Sequence, residues 1–315
     1  MKKTELLLLS GLPASGKSTY RHNWITEDPD GRIAVCYDDL RIGMFGPDWK
    51  WNRADEEKMK AHARDITTRA LAAGLSVVID NTNLSSRTRN EWSELGSKLG
   101  AQIVAHCMVE SVAECVRRDK LRAGKARVGR AIIEGMALRQ GMLDLTGQHI
   151  LCDIDGTLAD CAHRLHYIKN TIPCPDCSGG LLGACSRCKG ARKVPAKKDW
   201  AGFFSDVSND VPIPLIVDLV TDLSKRYDIV MVSGRNMSIA KQTEDWLDKH
   251  CPFPIKYLLL RQDNDHAPSA EAKGEIVKKI PHKAIVAAID DRPADLIMYR
   301  GLGITTIDVG QGFAF

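Results

Sequence analysis

Gly11-Leu12-Pro13-Ala14-Ser15-Gly16-Lys17-Ser18 follows the apolar run Leu6 to Leu9, an order that reads as a strand, a glycine loop and the start of a helix. The spacing G-x-x-x-x-G-K-S is that of a phosphate cradle. Gly11 and Gly16 permit positive φ and close approach, so successive N–H groups can point at a β-phosphate, aided by the positive end of the following helix. Lys17 is then placed to reach the β- and γ-phosphates, and the Ser18 hydroxyl to hold Mg²⁺, with Ser15 and Thr19 in the same cradle. The bland alternative is a glycine turn that binds nothing. The full spacing in its strand-loop-helix context argues against it.

Working outward, 315 residues suffice for two domains with separate cores. A composition of 44% apolar and 27% charged residues is that of a soluble globular chain, and no apolar run approaches the length of a membrane span. Met1-Lys2-Lys3 ahead of Leu6 to Leu9 mimics a secretion signal, but the apolar core is too short and leads straight into the phosphate loop. It reads instead as the first strand of a cytoplasmic protein with no membrane partner. The net charge of +4 is too small to demand a nucleic-acid partner, yet it is unevenly spread. Arg117 to Arg130 holds seven Lys or Arg against the single Asp119, and Cys174 to Lys198 holds six against Asp176. Such runs are either solvated faces or contacts for a polyanion.

After the loop, strands alternate with helical patterns, which predicts a parallel sheet with helices on both faces. Ile33 to Cys36 is a strand whose carboxyl end delivers Tyr37, Asp38, Asp39 and Arg41 to the edge where such sheets bind ligands. Asp38 is the candidate general base, because phosphoryl transfer to a hydroxyl needs a carboxylate opposite the γ-phosphate; the competing role for Asp38 or Asp39 is a helix N-cap. Arg41, one turn on, can share the face of Asp38 and offer its fork to a substrate phosphate. A helix from Arg53 stops at Gly74, and the strand Val77 to Asp80 ends in Asp80-Asn81-Thr82-Asn83, with Asp80 either near Mg²⁺ or in a cap or turn. A helix from Ser86 to Leu99 and a strand from Ile103 to Met108 complete this half. The stretch from Arg117 to Arg127, a basic helix end with a hinge at Gly124, suits a lid over a triphosphate. Arg122 first and Arg118 second would neutralise the charge that develops there; the alternative is a solvated helix face.

A second alternating pattern begins at Ile150, which puts the boundary near 145–149. The strand Ile150-Leu151-Cys152 ends in Asp153-Ile154-Asp155-Gly156-Thr157, two carboxylates on a tight glycine turn that can both face a phosphate. The motif looks like that of the haloacid dehalogenase phosphatases, whose first Asp attacks phosphorus and whose second protonates the leaving oxygen, both with Mg²⁺. Downstream, Ser233-Gly234-Arg235 follows the strand Ile229 to Val232 and offers a hydroxyl and a guanidinium to phosphate. Asp290-Asp291-Arg292 follows the strand Ala284 to Ile289 and offers oxygens to a hard cation. Lys273, between them, would offset the charge of a phosphoaspartate.

Between these motifs lie Cys174-Pro175-Asp176-Cys177 and Cys185-Ser186-Arg187-Cys188. Paired C-x-x-C knuckles can close a structural Zn²⁺ with four thiolates and no open position; redox pairing is the alternative. The remaining six of the ten cysteines read as core or bystander residues.

Taken together, the phosphate loop, Asp38-Asp39-x-Arg41, Asp80-Asn81-Thr82-Asn83-Leu84, the basic lid and the second-half motifs resemble the bacteriophage polynucleotide kinase/3′-phosphatase family over nearly the whole chain. The resemblance implies an α/β protein of two doubly wound parallel-sheet domains, a P-loop 5′-kinase over 1–147 and a haloacid dehalogenase-like 3′-phosphatase over 148–315. In the first it implies ATP at Gly11, Ser15, Gly16, Lys17, Ser18 and Thr19, Asp38 as base, Arg41 and Thr82 at the acceptor, and Arg118 and Arg122 at the donor. In the second it implies Asp153 as nucleophile and Asp155 as acid/base, with Arg164, Ser233, Gly234, Arg235 and Lys273 at the phosphate and Mg²⁺ at Asp153, Asp155, Asp290 and Asp291. Substrates would be RNA or DNA ends, the functional partner an RNA or DNA ligase, the protein self-associating, and its place the cytoplasm of the phage host. The rival reading is a small-molecule nucleoside kinase fused to a nucleotide phosphatase.

Two departures stand out. The family places an Asp a few residues before the Lys matched to Lys273, whereas Ala267 to Lys273 contains none, leaving Asp263, Asp265 or Glu271 to substitute or the contact absent. The cysteine knuckles, Cys174, Cys177, Cys185 and Cys188, lie outside the family pattern, in an insertion over 172–198 where such phosphatases carry a cap. The expectation is that a small zinc module forms that cap.

Overall fold

The computed structural model describes residues 3–169, 171–176, 185, 187–189, 191 and 193–310. They divide between Val128 and Gly129 into two compact units.

In the first unit β1 (Glu5–Ser10), α1 (Lys17–Thr26), β2 (Arg32–Cys36), α2 (Tyr37–Phe45), α3 (Arg53–Ala72), β3 (Ser76–Asp80), α4 (Ser86–Lys98), β4 (Gln102–Cys107) and α5 (Val112–Lys120) follow in turn. The strands pair in parallel in the order β2-β3-β1-β4. β1 is central, which explains why Leu6 to Leu9 is apolar without alternation. Leu6 and Leu8 pack with Met59 and Ala63 of α3 and Trp92 of α4, and Leu7 and Leu9 with Trp24 of α1, so helices cover both faces. Each of these leucines is at most 1% exposed and contributes roughly 1.5–3 kcal/mol of transfer free energy. The loops at the carboxyl ends of β1, β2 and β3 are thereby fixed to a rigid edge.

The second unit contains α6 (Arg130–Arg139), β5 (His149–Cys152), β6 (Ala159–Asp160), α7 (His166–Lys169), β7 (Thr171–Pro173), β8 (Lys193–Pro195), α8 (Trp200–Ser205), β9 (Val211–Pro212), α9 (Pro214–Ser224), β10 (Asp228–Asn236), α10 (Ala240–His250), β11 (Ile255–Arg261), α11 (Ser269–Val277), β12 (Ile285–Asp290), α12 (Pro293–Gly301) and β13 (Thr306–Asp308). Its main sheet is parallel, in the order β11-β10-β5-β12-β13, with β5 in the middle. Ile150, Cys152, Ile229 and Met231 face Val217 and Val220 of α9 and Trp246 and Leu247 of α10. The alternate residues Leu151, Val230 and Val232 point the other way, and α11 and α12 contact β10 and β12. Two antiparallel pairs, β6 with β9 and β7 with β8, stand outside this sheet.

Both halves are thus parallel-sheet α/β units, as expected from the alternating pattern. α6 precedes the expected boundary at 147/148, yet its Arg130 guanidinium donates to the Ile255 and Lys256 carbonyls, and its Glu134 accepts from the Leu258 N–H at 2.6 Å, tying it to β11. Among the described residues, no helix is long and apolar enough to cross a membrane.

Candidate functional site

The first centre lies at the carboxyl edge of the first sheet. Gly16 caps α1 at φ +98°, a left-handed conformation that a side chain would strain. Lys17 is buried and curls back over its own loop, donating to the carbonyls of Gly11 at 3.0 Å and Leu12 at 2.6 Å. Burial lowers its pKa, and the Arg122 charge acts in the same direction while Asp80 opposes it. Ser18 and Thr19 are exposed. The Ser18 hydroxyl donates to Asp80 Oδ2 at 3.3 Å. Asp80 therefore faces the cradle, and the turn after β3 is made by others: Asn81 Oδ1 accepts from the Thr82 N–H at 2.8 Å, and buried Asn83 donates to the Leu9 carbonyl at 2.8 Å. The Thr82 carbonyl in turn accepts from the Gly11 N–H at 3.0 Å, fastening the loop to the end of β3.

The cap reading of Asp38 and Asp39 falls away, because Cys36 occupies the N-cap position of α2 and both carboxylates lie in its first turn. The Asp38 side chain is 84% exposed, 2.7 Å from Arg41 Nη1. Arg41 uses its other N–H groups on Glu56 of α3, with Nε to Oε2 at 3.0 Å and Nη2 to Oε1 at 2.8 Å, a bidentate pair that fixes the plane of the guanidinium. Arg21 bridges Asp39 at 3.0 Å and Asp80 at 3.3 Å. Of the basic segment, Arg118 reaches the cradle, its Nη1 3.8 Å from where a Cβ on Gly16 would lie, while pairing with Glu110 and Glu114. Arg122 is exposed, 4.0 Å from Asp119, and donates to the Ala126 carbonyl at 3.4 Å. An anion cradle ringed by these cations, with a solvent-facing carboxylate beside it, can position a phosphoryl donor and deprotonate a bulky acceptor.

The second centre is assembled from the carboxyl ends of β5, β10 and β12. Lys273 of α11, buried, places Nζ 3.0 Å from Asp153 Oδ1, 2.7 Å from Asp290 and 2.8 Å from Asp295. Carboxylate oxygens of Asp153, Asp290 and Asp291 all lie within 4.8 Å of one another. Gly156 turns at φ +84°, and a Cβ there would meet Asp291 Oδ2 at 2.2 Å, so the turn passes directly against this cluster. Three buried carboxylates thus share one ammonium with a fourth, Asp291, close to two of them, and Asp153 Oδ1, though close to Lys273, makes no properly directed hydrogen bond. Burial pushes Asp153 up to about 8, with Lys273 opposing it, and Asp291 up to about 7. Crowded, under-compensated oxygen donors of this kind fit a hard divalent cation such as Mg²⁺.

Asp155, expected with Asp153 at the cation, is turned away from it. Arg164 Nη2 lies 2.5 Å and Arg235 Nη2 2.6 Å from its Oδ1. Burial works to raise its pKa, but the two guanidiniums win and hold it at about 2. Both arginines are fully buried and share a second carboxylate, Asp210, which accepts from Arg164 Nε at 2.6 Å and from Arg235 Nη2 at 2.6 Å. Arg164 also sits over the Phe203 ring at 4.1 Å. Ser233 is buried, its Oγ accepting from the Arg235 N–H at 3.3 Å, and a Cβ on Gly234 would come 3.3 Å from Ser269 Oγ.

None of the three acids considered as partners of Lys273 reaches it. Asp263 accepts from the Ser238 N–H at 2.7 Å, Asp265 from the Ala267 N–H at 2.9 Å, and Glu271 is exposed. Asp295 of α12 makes the contact instead, and the Ser269 hydroxyl donates to it at 3.1 Å. Glu56, Arg21, Asp210 and Asp295 are the residues that sequence reasoning missed. Arg21 carried a signal, lying one helical turn after Lys17; Asp295 follows Asp291 at the same spacing. Glu56 and Asp210 carried none, being ordinary acids in a helix start and a loop.

In the insertion, Cys174 and Cys188 are buried, and their sulfurs lie with that of Cys185 within 4.8 Å of one another. Cys174 Sγ and Cys185 Sγ are 3.9 Å apart, too far for a disulfide and close to the roughly 3.8 Å edge of a tetrahedron with Zn–S bonds of about 2.3 Å. Cys177 and much of 172–198 lie outside the described residues.

Residues 6–140 match the family model of an AAA domain, and residues 200–313 match that of the polynucleotide kinase PNKP phosphatase domain. Asp153, Asp155 and Arg164 precede the second match yet share its centre. Over 329 aligned residues the chain is 21% identical to a protein of Autographa californica nuclear polyhedrosis virus described as a bifunctional polynucleotide kinase/RNA ligase, covering 96% of this chain and 42% of that one. It therefore spans less than half of that relative's length. Among solved structures it is similar to a chain of the Pnkp1/Rnl/Hen1 RNA repair complex (22% identity, 99% of this chain and 97% of that one, TM-score 0.39). It is also similar to a haloacid dehalogenase-like hydrolase from Streptococcus pneumoniae (19% identity, 53% and 87%, TM-score 0.36). Overlaps at those scores carry no functional argument. The two family models bear out the resemblance read from the motifs: the chain joins a P-loop domain to a haloacid dehalogenase-type phosphatase domain of the polynucleotide kinase kind.

Proposed function

We propose that this chain is a bifunctional end-healing enzyme, transferring the γ-phosphate of ATP to the 5′-hydroxyl of an RNA or DNA strand and removing the 3′-phosphate of such a strand through an aspartyl ester. What supports the reading is the pairing, in one chain, of a phosphate cradle flanked by exposed Asp38, with Arg41 fixed beside it by buried Glu56, and a buried carboxylate–lysine centre on a polynucleotide phosphatase-type domain. The kinase function is assigned to 1–147 and the phosphatase function to 148–315.

In the first reaction the loop N–H groups and Lys17 hold the β- and γ-phosphates, Arg118 and Arg122 neutralise the transferring group, and Ser18 and Asp80 would hold the Mg²⁺ of the nucleotide. Asp38 accepts the proton of the 5′-hydroxyl as its oxygen bonds to phosphorus, and Arg41, steadied by Glu56, orients the acceptor. In the second, Asp153 attacks phosphorus, Lys273 balances the ester's charge, and Asp155 protonates the leaving 3′-oxygen, then takes a proton from the water that cleaves the ester. Asp155 starts as a carboxylate clasped by Arg164 and Arg235. Incoming phosphate oxygens compete for those same N–H groups, and each one drawn away raises Asp155 toward the pKa of an acid, so that it takes up from water the proton it passes to the leaving oxygen. Mg²⁺ held by Asp153, Asp290 and Asp291 would supply the positive charge that lets an anionic phosphate approach an anionic nucleophile.

The insertion over 172–198 is assigned a structural Zn²⁺ on Cys174, Cys177, Cys185 and Cys188, and the role of a cap. Cys185→Ser should release the zinc and impair the phosphatase while sparing the kinase; full phosphatase activity in zinc-free protein would refute this. The products, a 5′-phosphate and a 3′-hydroxyl, are what an RNA or DNA ligase consumes, and the protein is assigned a self-associated state. One incubation tests the whole: an oligonucleotide bearing a 5′-hydroxyl and a 3′-phosphate, with and without ATP, followed by mass analysis of each end. The expected result is a 5′-phosphate only with ATP and loss of the 3′-phosphate with Mg²⁺ in either case. Phosphorylation of a free nucleoside but not of the oligonucleotide would favour the small-molecule kinase.

A further inference from the structure

Outward from the phosphatase centre runs an aromatic surface that phosphate chemistry does not require. Phe203, the ring beneath the Arg164 guanidinium, is buried and lies edge-on to Trp200 at 5.8 Å. Trp200 in turn stacks on Phe204 at 5.9 Å with 23° between the planes. Trp200 is therefore two contacts from the arginine that grips Asp155, braced by two rings, and still 47% exposed as the first residue of α8. An indole held there only to fill the core would be covered; this one, seated against two rings, keeps nearly half of its surface in solvent.

Its surroundings are basic. Lys198 Nζ lies 5.4 Å from the indole centroid, and Lys193 and Lys197 are exposed on the same approach to α8. His163 and His166 are exposed on the neighbouring turn, where the His166 ring lies against Tyr167 at 4.0 Å. The nearby acids are occupied: Asp199 caps α8 by accepting from the Gly202 N–H at 2.8 Å, and Asp206 lies 3.3 Å from His163. A braced aromatic face with mobile ammonium groups around it is the pairing by which proteins bind single-stranded nucleic acid, the ring taking a base and the lysines the backbone.

Resting on the function proposed above, we propose that Trp200 is the stacking platform for a nucleobase at the 3′ end of the strand whose terminal phosphate enters the Asp153 centre, with Lys198 shifting from the indole to a flanking backbone phosphate. This platform makes the phosphatase specific for polymer ends and leaves its chemistry unchanged.

The test compares a single-stranded 3′-phosphorylated oligonucleotide with p-nitrophenyl phosphate, which has no base, on the full-length chain with Mg²⁺. Trp200→Ala should raise KM for the oligonucleotide roughly 5- to 150-fold, the equivalent of the ~1–3 kcal/mol that aromatic stacking contributes per base, and leave p-nitrophenyl phosphate hydrolysis unchanged. Trp200→Phe should retain most of the affinity. Abasic nucleotides at the 3′ end should abolish the difference between wild type and Trp200→Ala. An unchanged KM for the oligonucleotide in Trp200→Ala, or an equal loss on both substrates, overturns the platform. A wild-type protein that hydrolyses p-nitrophenyl phosphate but no 3′-phosphorylated oligonucleotide overturns the function proposed above, and the platform with it.

Discussion

The two centres, each proposed to hold a phosphate, are put together in opposite ways. In the first unit the cradle comes from eight consecutive residues, Gly11 to Ser18, and the carboxylate meant to act on the acceptor stands in solvent. In the second, Asp153, Arg164, Arg235, Lys273, Asp290, Asp291 and Asp295 converge from points spread over most of the unit, and all are buried. Backbone N–H groups at a helix start carry no net charge to desolvate, so one short loop can make an anion site by itself. A centre that is to form an ester on its own carboxylate, as proposed for the second, must gather several charges out of water, and each needs a partner brought by the fold from elsewhere.

That contrast can be broken or sharpened by mutation. The largest effect is expected from Asp153→Asn, which removes the proposed nucleophile: release of phosphate from a 3′-phosphorylated oligonucleotide should fall by roughly 10⁴-fold or more while ATP-dependent 5′-labelling persists. Asp210→Ala leaves two buried guanidiniums with one carboxylate between them. Loss of a buried partner of this kind costs about 3–5 kcal/mol, to be read as a lower urea midpoint for the second unit. Were that midpoint unmoved, the shared Asp210 bridge would not be holding Arg164 and Arg235. In the first unit, Lys17→Ala should reduce 5′-labelling by about 10²- to 10³-fold with little change in stability, because the burial that disfavours its charge offsets its bonds to the Gly11 and Leu12 carbonyls. Glu56→Gln should be milder, raising KM for the 5′-hydroxyl acceptor by on the order of 10-fold through a loosened Arg41, with KM for ATP unchanged.

The smallest effect is a linkage between Mg²⁺ and pH. With no divalent cation, burial sets Asp291 at about 7 and Asp153 at about 8, both above the value of an unfolded Asp. Their protonated forms stabilise the metal-free fold fully below about pH 4, and that contribution is lost as pH rises through 7 and 8. Mg²⁺ requires the ionised forms, so the rise in Tm on adding it should be a few degrees larger near pH 8.5 than near pH 6. An equal rise at both would argue against these carboxylates as the cation site.

Much of this molecule is legible in its residues taken in order. The unbroken apolar strands, the glycine loops at their ends and the spacing of Lys17, Ser18, Asp153 and Asp155 all depend on interactions within a few residues, where chain geometry alone decides which groups can meet. The parallel sheets follow from the same local alternation. Contacts such as Arg41 with Glu56, Arg164 and Arg235 with Asp210, and Lys273 with Asp295 join different elements, up to 46 residues apart in the Arg164 pair, and were decided only when the elements packed. The same holds for Asp155, whose sequence neighbour Asp153 implied a shared cation but whose partners are two arginines from other segments. A charge buried by folding must be neutralised by whatever charge the tertiary structure brings within reach, and an isolated Asp or Glu on the chain carries no mark of which partner that is.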